Sequence, residues 1–190
     1  MKIAILGWGS LVWERRDLPK LKGEWFKGGP LLPLEFSRIS ESRIGILTLV
    51  IDPQNGKEAS VRFATSARIT LEDAICDLRT REGTVVKYIG FVDLVGGSQR
   101  CNAFPKAADT IRSWASNKGF EAVVWTDLPS NFCKKHGQKF EIENAVKYLK
   151  ELCEQDKCAA KAAHEYINNA PEEINTPLRI YLQGNSGLKW

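Results

Sequence analysis

The run Ile3-Ala4-Ile5-Leu6, closed at once by Gly7-Trp8-Gly9-Ser10, constrains the fold more than any other stretch of the chain. Four consecutive apolar residues bounded by a turn signal predict a short strand buried on both faces. The two glycines free the backbone for unusual dihedral angles, so a tight turn follows the strand. A dinucleotide-binding loop also follows a strand. Its fingerprint needs a third glycine where Val12 stands, and an immediate helix where the chain reads Trp13-Glu14-Arg15-Arg16. A nucleophile elbow on Ser10 needs glycines at the positions of Trp8 and Val12, and fails as well. Two readings survive. The turn offers backbone N–H groups that converge on an anion or carboxylate, or it needs glycine for geometry alone.

Further strands are expected over 32–39, where Leu32, Leu34 and Phe36 alternate with polar residues, over the Ile/Leu/Val-rich 43–52, and over 58–64. Pro53-Gln54-Asn55-Gly56 between the last two is a hairpin signal. Residues 14–30 read as a loop, and 85–95 and 121–126 as strands. Thr70-Leu71-Glu72-Asp73 resembles a capping box, and Leu71, Ala74, Ile75 and Leu78 recur with helical spacing up to Glu82-Gly83. Helices are also expected over 106–117, from 142 to 153, and over 158–169. Residues 177–182 read as a last short strand or an extended cover. The pattern is α+β with a helical C-terminal addition.

With 190 residues, 43% apolar and 26% charged, the chain is long enough for a real core and too apolar for wholesale disorder. The net charge of +4 is spread evenly, 14 basic against 12 acidic side chains up to residue 95 and 13 against 11 beyond it. Neither half is a basic arm, and Lys134-Lys135 is a weak basis for nucleic-acid binding, so none is expected. No apolar run is long enough to span a membrane. Five cysteines at irregular spacing, without a secretory pattern, lead us to expect reduced thiols and a cytoplasmic protein.

Zinc spacing is not met by Cys133 and His136 or by Cys153, Cys158 and His164, so no metal site is expected and the thiols read as buried and inert. Of the six tryptophans, Trp114 and Trp125 sit in apolar periodic segments and read as core, whereas Trp8, Trp13 and Trp25 read as loop residues fit to wall a pocket. Arg79 and Arg81 suit a solvated helix C-terminus. Glu82 does not. An acid there is electrostatically unfavourable, so its pKa is expected to tend upward, which with partial burial suits proton shuttling.

The order of these features resembles the γ-glutamylcyclotransferase superfamily over roughly residues 1–126. Trp8-Gly9-Ser10-Leu11 is similar to the superfamily's Tyr-Gly-Ser-Leu/Asn motif after the first strand. Arg81-Glu82-Gly83 is similar to its catalytic Glu-Gly at a helix end, and 34–38 loosely matches its second strand. The resemblance implies a small mixed β-barrel with flanking helices, here residues 1–136, carrying a helical extension, residues 137–190, packed on it. It implies release of 5-oxoproline and a free amine from a small-molecule γ-glutamyl amine or peptide, without metal or cofactor. Glu82 would be the general acid/base. Trp8, Gly9, Ser10 and Leu11 would bind substrate, its α-carboxylate on the turn amides and its α-ammonium beside Glu82. Trp8 departs from the motif, because tryptophan lacks the tyrosine hydroxyl, which puts activity on glutathione in question. The competing expectation is a non-catalytic small-molecule-binding or protein-interaction module on the same fold. Neither the oligomeric state nor the amine half of the substrate follows from the sequence.

Overall fold

Every residue of the first strand, Ile3–Gly7 (β1), is buried. The computed structural model describes residues 1–14 and 21–185. Residues 15–20 of the expected loop 14–30, with Arg15 and Arg16, and also Trp190, lie outside the described residues. In chain order the elements after β1 are β2 (Leu21–Phe26), β3 (Leu31–Ile39), β4 (Leu47–Ile51), β5 (Lys57–Ser60), β6 (Arg62–Ser66), α1 (Leu71–Glu82), β7 (Ile89–Asp93), β8 (Gln99–Arg100), α2 (Ala107–Asn117), β9 (Ala122–Thr126), α3 (Phe132–His136), α4 (Ile142–Gln155), α5 (Lys157–Asn169) and α6 (Pro177–Gly184). The architecture is α+β with two sheets, ordered β2-β6-β1-β9-β7-β8 and β4-β3-β5. Both sheets are open among the described residues, so the closed barrel expected from the resemblance is not found there.

Contacts divide the chain into two compact units, residues 1–32 with 60–128 and residues 33–59 with 129–190. The first unit is built around β1, which runs parallel to β9 (Ile5 beside Val124) and antiparallel to β6 (Leu6 opposite Phe63). Flanked on both sides, β1 needs apolar residues on both faces, which is why its sequence does not alternate. Ile3, Ile5, Ile89, Ala122 and Val124 pack against Leu71, Ala74 and Leu78 of α1, and Leu11 of the glycine turn joins the same core. α2 lies along β7 and β9 with Ala107, Ala108, Ile111 and Ala115 buried.

Helix α1 is defined by its ends. Thr70 caps the start by accepting the Asp73 N–H at 3.3 Å. At the other end Gly83 takes φ 59°, its N–H bonds Thr80 O at 3.2 Å, and Thr84 N–H reaches back to Arg79 O at 3.2 Å. That pair of bonds is a Schellman stop, and glycine meets its left-handed requirement without a Cβ penalty. Glu82 is thereby fixed as the last helical residue.

In the second unit β3 is buried through Leu34, Phe36 and Ile39, and Phe36 meets Tyr166 of α5 edge-on at 6.2 Å. α5 and α6 both pack on α4. The fully buried Glu35 of β3 accepts Phe36 N–H at 2.7 Å and Leu178 N–H, in the first turn of α6, at 3.1 Å. Nearby, the Arg179 guanidinium donates to the carbonyls of Asn168, Ala170, Pro171 and Ile174, tying α6 to the end of α5.

Several local expectations change. Pro53–Gly56 is a turn, held by Asp52 accepting from Gln54 and Asn55, but the strands beside it do not pair with each other. β4 and β5 instead flank β3. The stretch 58–64 is two strands, because Val61 leaves the ladder to bond Gly29 and Pro30. Residues 21–26 form an edge strand on β6 rather than loop, with an irregularity near Gly23 at φ 85°. Of the expected strand 85–95, only β7 pairs as a strand, and Val86–Tyr88 is a single 3-10 turn. Residues 177–184 are a helix rather than a strand, since Thr176 caps Arg179 N–H at 3.2 Å and Pro177 is pre-set for a first turn.

Candidate functional site

The chain leaves β1 at Gly7 and turns sharply. Gly7 lacks a side chain because Trp25 occupies the space, and a Cβ there would lie 2.7 Å from the indole. The backbone then makes one helical turn, with Val12 N–H on Gly9 O at 2.9 Å and Glu14 N–H on Ser10 O at 2.7 Å. At its start, the N–H groups of Gly9 and Leu11 enter no backbone hydrogen bond among the described residues. The turn lies at the carboxyl end of β1, an edge where open parallel strands commonly hold ligands.

The end of α1 meets this turn through Arg81, a residue type expected at a solvated helix end. Arg81 has a side chain only 3% exposed. Its NH1 lies 3.1 Å from Glu82 Oε1. Its NH2 donates to Glu14 O at 2.8 Å and lies 3.5 Å from Ser10 Oγ, at the outer limit of a hydrogen bond. Ser10 and Glu82 are thus brought to one guanidinium. The Glu82 side chain is 18% exposed, so it is partly shielded yet open to solvent. The Arg81 countercharge acts on that carboxylate in the opposite sense to the helix end. Arg81 was recoverable from the pattern, since Leu71, Ala74, Leu78 and Arg81 continue one helical stripe and all four are buried.

The other expected site residues are buried. Trp8 and Leu11 are each 5% exposed and Ser10 is 8% exposed. Leu11 contributes its side chain to the core, leaving only its backbone to the turn. Trp13 is half-buried. Trp25 is not a loop residue but part of β2. Trp125 is fully buried as expected for core, whereas Trp114 is half-buried, stacks on Phe120 at 5.6 Å and donates its indole N–H to Gly28 O at 2.9 Å.

A second carboxylate, Asp127, follows β9 near the same sheet edge and is 1% exposed. It accepts Asn102 N–H at 2.5 Å and the Trp125 indole N–H at 3.4 Å, so it is committed to holding the 101–103 segment. Arg100 bonds Ile89 O at 2.7 Å and lies over the Phe91 ring, and burial pushes its pKa down. Three cysteines correct the expectation of buried thiols, because Cys76, Cys133 and Cys158 are exposed while Cys101 and Cys153 are half-buried. Among the described residues no group of three or more His, Cys, Asp or Glu side chains is placed to hold a metal ion, and no helix is long and apolar enough to cross a membrane.

Compared with protein-family models, curated proteins and solved structures, the chain matches none.

Proposed function

We propose that this chain is a γ-glutamylcyclotransferase-like enzyme that releases 5-oxoproline and a free amine from a small γ-glutamyl amine or peptide, with Glu82 as the catalytic acid/base. The supporting observation is the meeting of Ser10 and Glu82 on Arg81, which joins the turn motif and the Glu-Gly helix end in one cluster. In this mechanism the substrate's α-carboxylate lies on the Gly9–Leu11 amides, and its α-ammonium faces Glu82. The Glu82 carboxylate takes a proton from that ammonium. The freed amine attacks the γ-carbonyl carbon of the same molecule and closes a five-membered ring. As the carbonyl re-forms, the bond to the leaving nitrogen breaks and Glu82 returns its proton there. The second proton lost by the ring nitrogen departs with the product amine as its ammonium. No metal or cofactor is required by these steps. The proposal carries with it a variant of the superfamily's mixed β-barrel and a cytoplasmic setting, in which five thiols stay reduced.

Trp8 favours a second reading. It stands where the motif has tyrosine, is 5% exposed, and brings no hydroxyl to the site. A small-molecule-binding or protein-interaction module that has lost the reaction would retain the turn. Incubating the protein with a panel of γ-glutamyl amines and scoring 5-oxoproline separates the two. Release supports the enzyme, while saturable binding without release supports the module.

A further inference from the structure

We propose that Arg81 is a positioning residue of this site, holding the Glu82 carboxylate in place against the Ser10–Glu14 turn. This rests on the proposed role of Glu82. Three observations carry it. First, the Arg81 side chain is 3% exposed, and burying a guanidinium is unfavourable unless specific partners receive it. Second, two of the partners it has among the described residues belong to the turn after β1. They are Glu14 O at 2.8 Å and Ser10 Oγ at 3.5 Å, which are 67 and 71 residues earlier in the chain. Third, successive residues on a helix do not face each other, yet Arg81 NH1 lies 3.1 Å from Glu82 Oε1. That approach is made at the last helical residue, just before Gly83 turns left-handed.

The chemistry follows from the shape of the guanidinium. Its two terminal nitrogens serve different partners, NH2 the turn and NH1 the acid, within one rigid plane. The turn thereby sets where the carboxylate stands. The opposite charge beside Glu82 suits a carboxylate that is to take a proton from the substrate's ammonium. Lysine carries the same charge but offers one flexible point, which cannot span Glu14 O, Ser10 Oγ and Glu82 together.

The test uses full-length protein, Arg81→Lys and Arg81→Met, with carboxyl-¹³C glutamate labelling and Glu82→Gln to assign the Glu82 signal. We expect Glu82 to titrate at higher pH in Arg81→Met than in wild type. With a γ-glutamyl amine turned over by wild type, we expect Arg81→Lys to lower kcat by about ten- to a hundred-fold, with KM changed less than about threefold. The acidic limb of its pH–rate profile should also shift. A Glu82 titration unchanged in both variants, or a kcat unchanged in Arg81→Lys, overturns the positioning role. If Arg81→Met does not fold, Arg81→Lys decides by the same readouts. If wild type turns over no γ-glutamyl amine, the proposed reaction fails, and the titration still decides whether Arg81 positions Glu82.

Discussion

Leu178 donates its backbone N–H to the carboxylate of Glu35 at 3.1 Å, joining the start of α6 to β3 across 143 residues of sequence. Burial of Glu35 pushes its pKa up to about 7, against the lowering effect of bonds from Thr176, Phe36 and Leu178, and Asp52 adds a further upward push. The protonated form is therefore favoured in the folded chain. Its stabilising contribution is complete below the ordinary carboxylate range near 4.5 and is lost as pH rises through about 7. The free energy of unfolding should fall by roughly 2–4 kcal/mol from this group over that window. Glu35→Gln, which keeps an acceptor but cannot ionise, should flatten that slope in denaturant titrations from pH 4 to 8. An unchanged slope would refute the assignment.

Gly7 and Trp25 make a second prediction. A Cβ at Gly7 would lie 2.7 Å from Trp25 Cη2 and 3.2 Å from Val12 Cγ2. Gly7→Ala should therefore destabilise by about 1–3 kcal/mol through overpacking. The buried indole N–H of Trp25 has no acceptor among the described residues. Adding Trp25→Leu should relieve much of the Gly7→Ala penalty, and a double-mutant cycle measures this. Additive effects would show that the crowding is elsewhere.

The cysteines should fall into two classes. Cys76, Cys133 and Cys158 are exposed and should react quickly with an aromatic disulfide reagent. Cys101 donates to Phe104 O at 3.0 Å, and burial first, then Asp127, pushes its thiol up to about 11. At pH 8 its thiolate fraction should be about a hundredth of an ordinary cysteine's. Labelling followed by peptide mapping checks this. Rapid modification of Cys101 in the folded protein would contradict it.

The sequence shows what local physics decides. Helix α1 was legible to both ends, because Thr70 and Gly83 are its own caps. The turn after β1 was legible because a buried strand must stop there. What was illegible depends on partners far along the chain. β2 is a strand only through its pairing with β6. The break between β5 and β6 needs Gly29 and Pro30 beside Val61. α6 carried a readable signal in Thr176-Pro177, but its apolar alternation resembled a strand. At the candidate site, Glu82 and Ser10 stood out by residue type and position. Arg81 hid because a basic residue at a helix end has an ordinary explanation, and only its place on the buried stripe argued otherwise.

The most direct measurement is the rate of 5-oxoproline release from a panel of γ-glutamyl amines by wild type and by Glu82→Gln. Gln keeps the size of Glu82 and one acceptor oxygen but cannot carry the proton. We expect release from at least one amine by wild type, and a fall of about 10²- to 10⁴-fold in kcat in Glu82→Gln with the fold intact. Release that persists undiminished in Glu82→Gln would contradict the role given to Glu82.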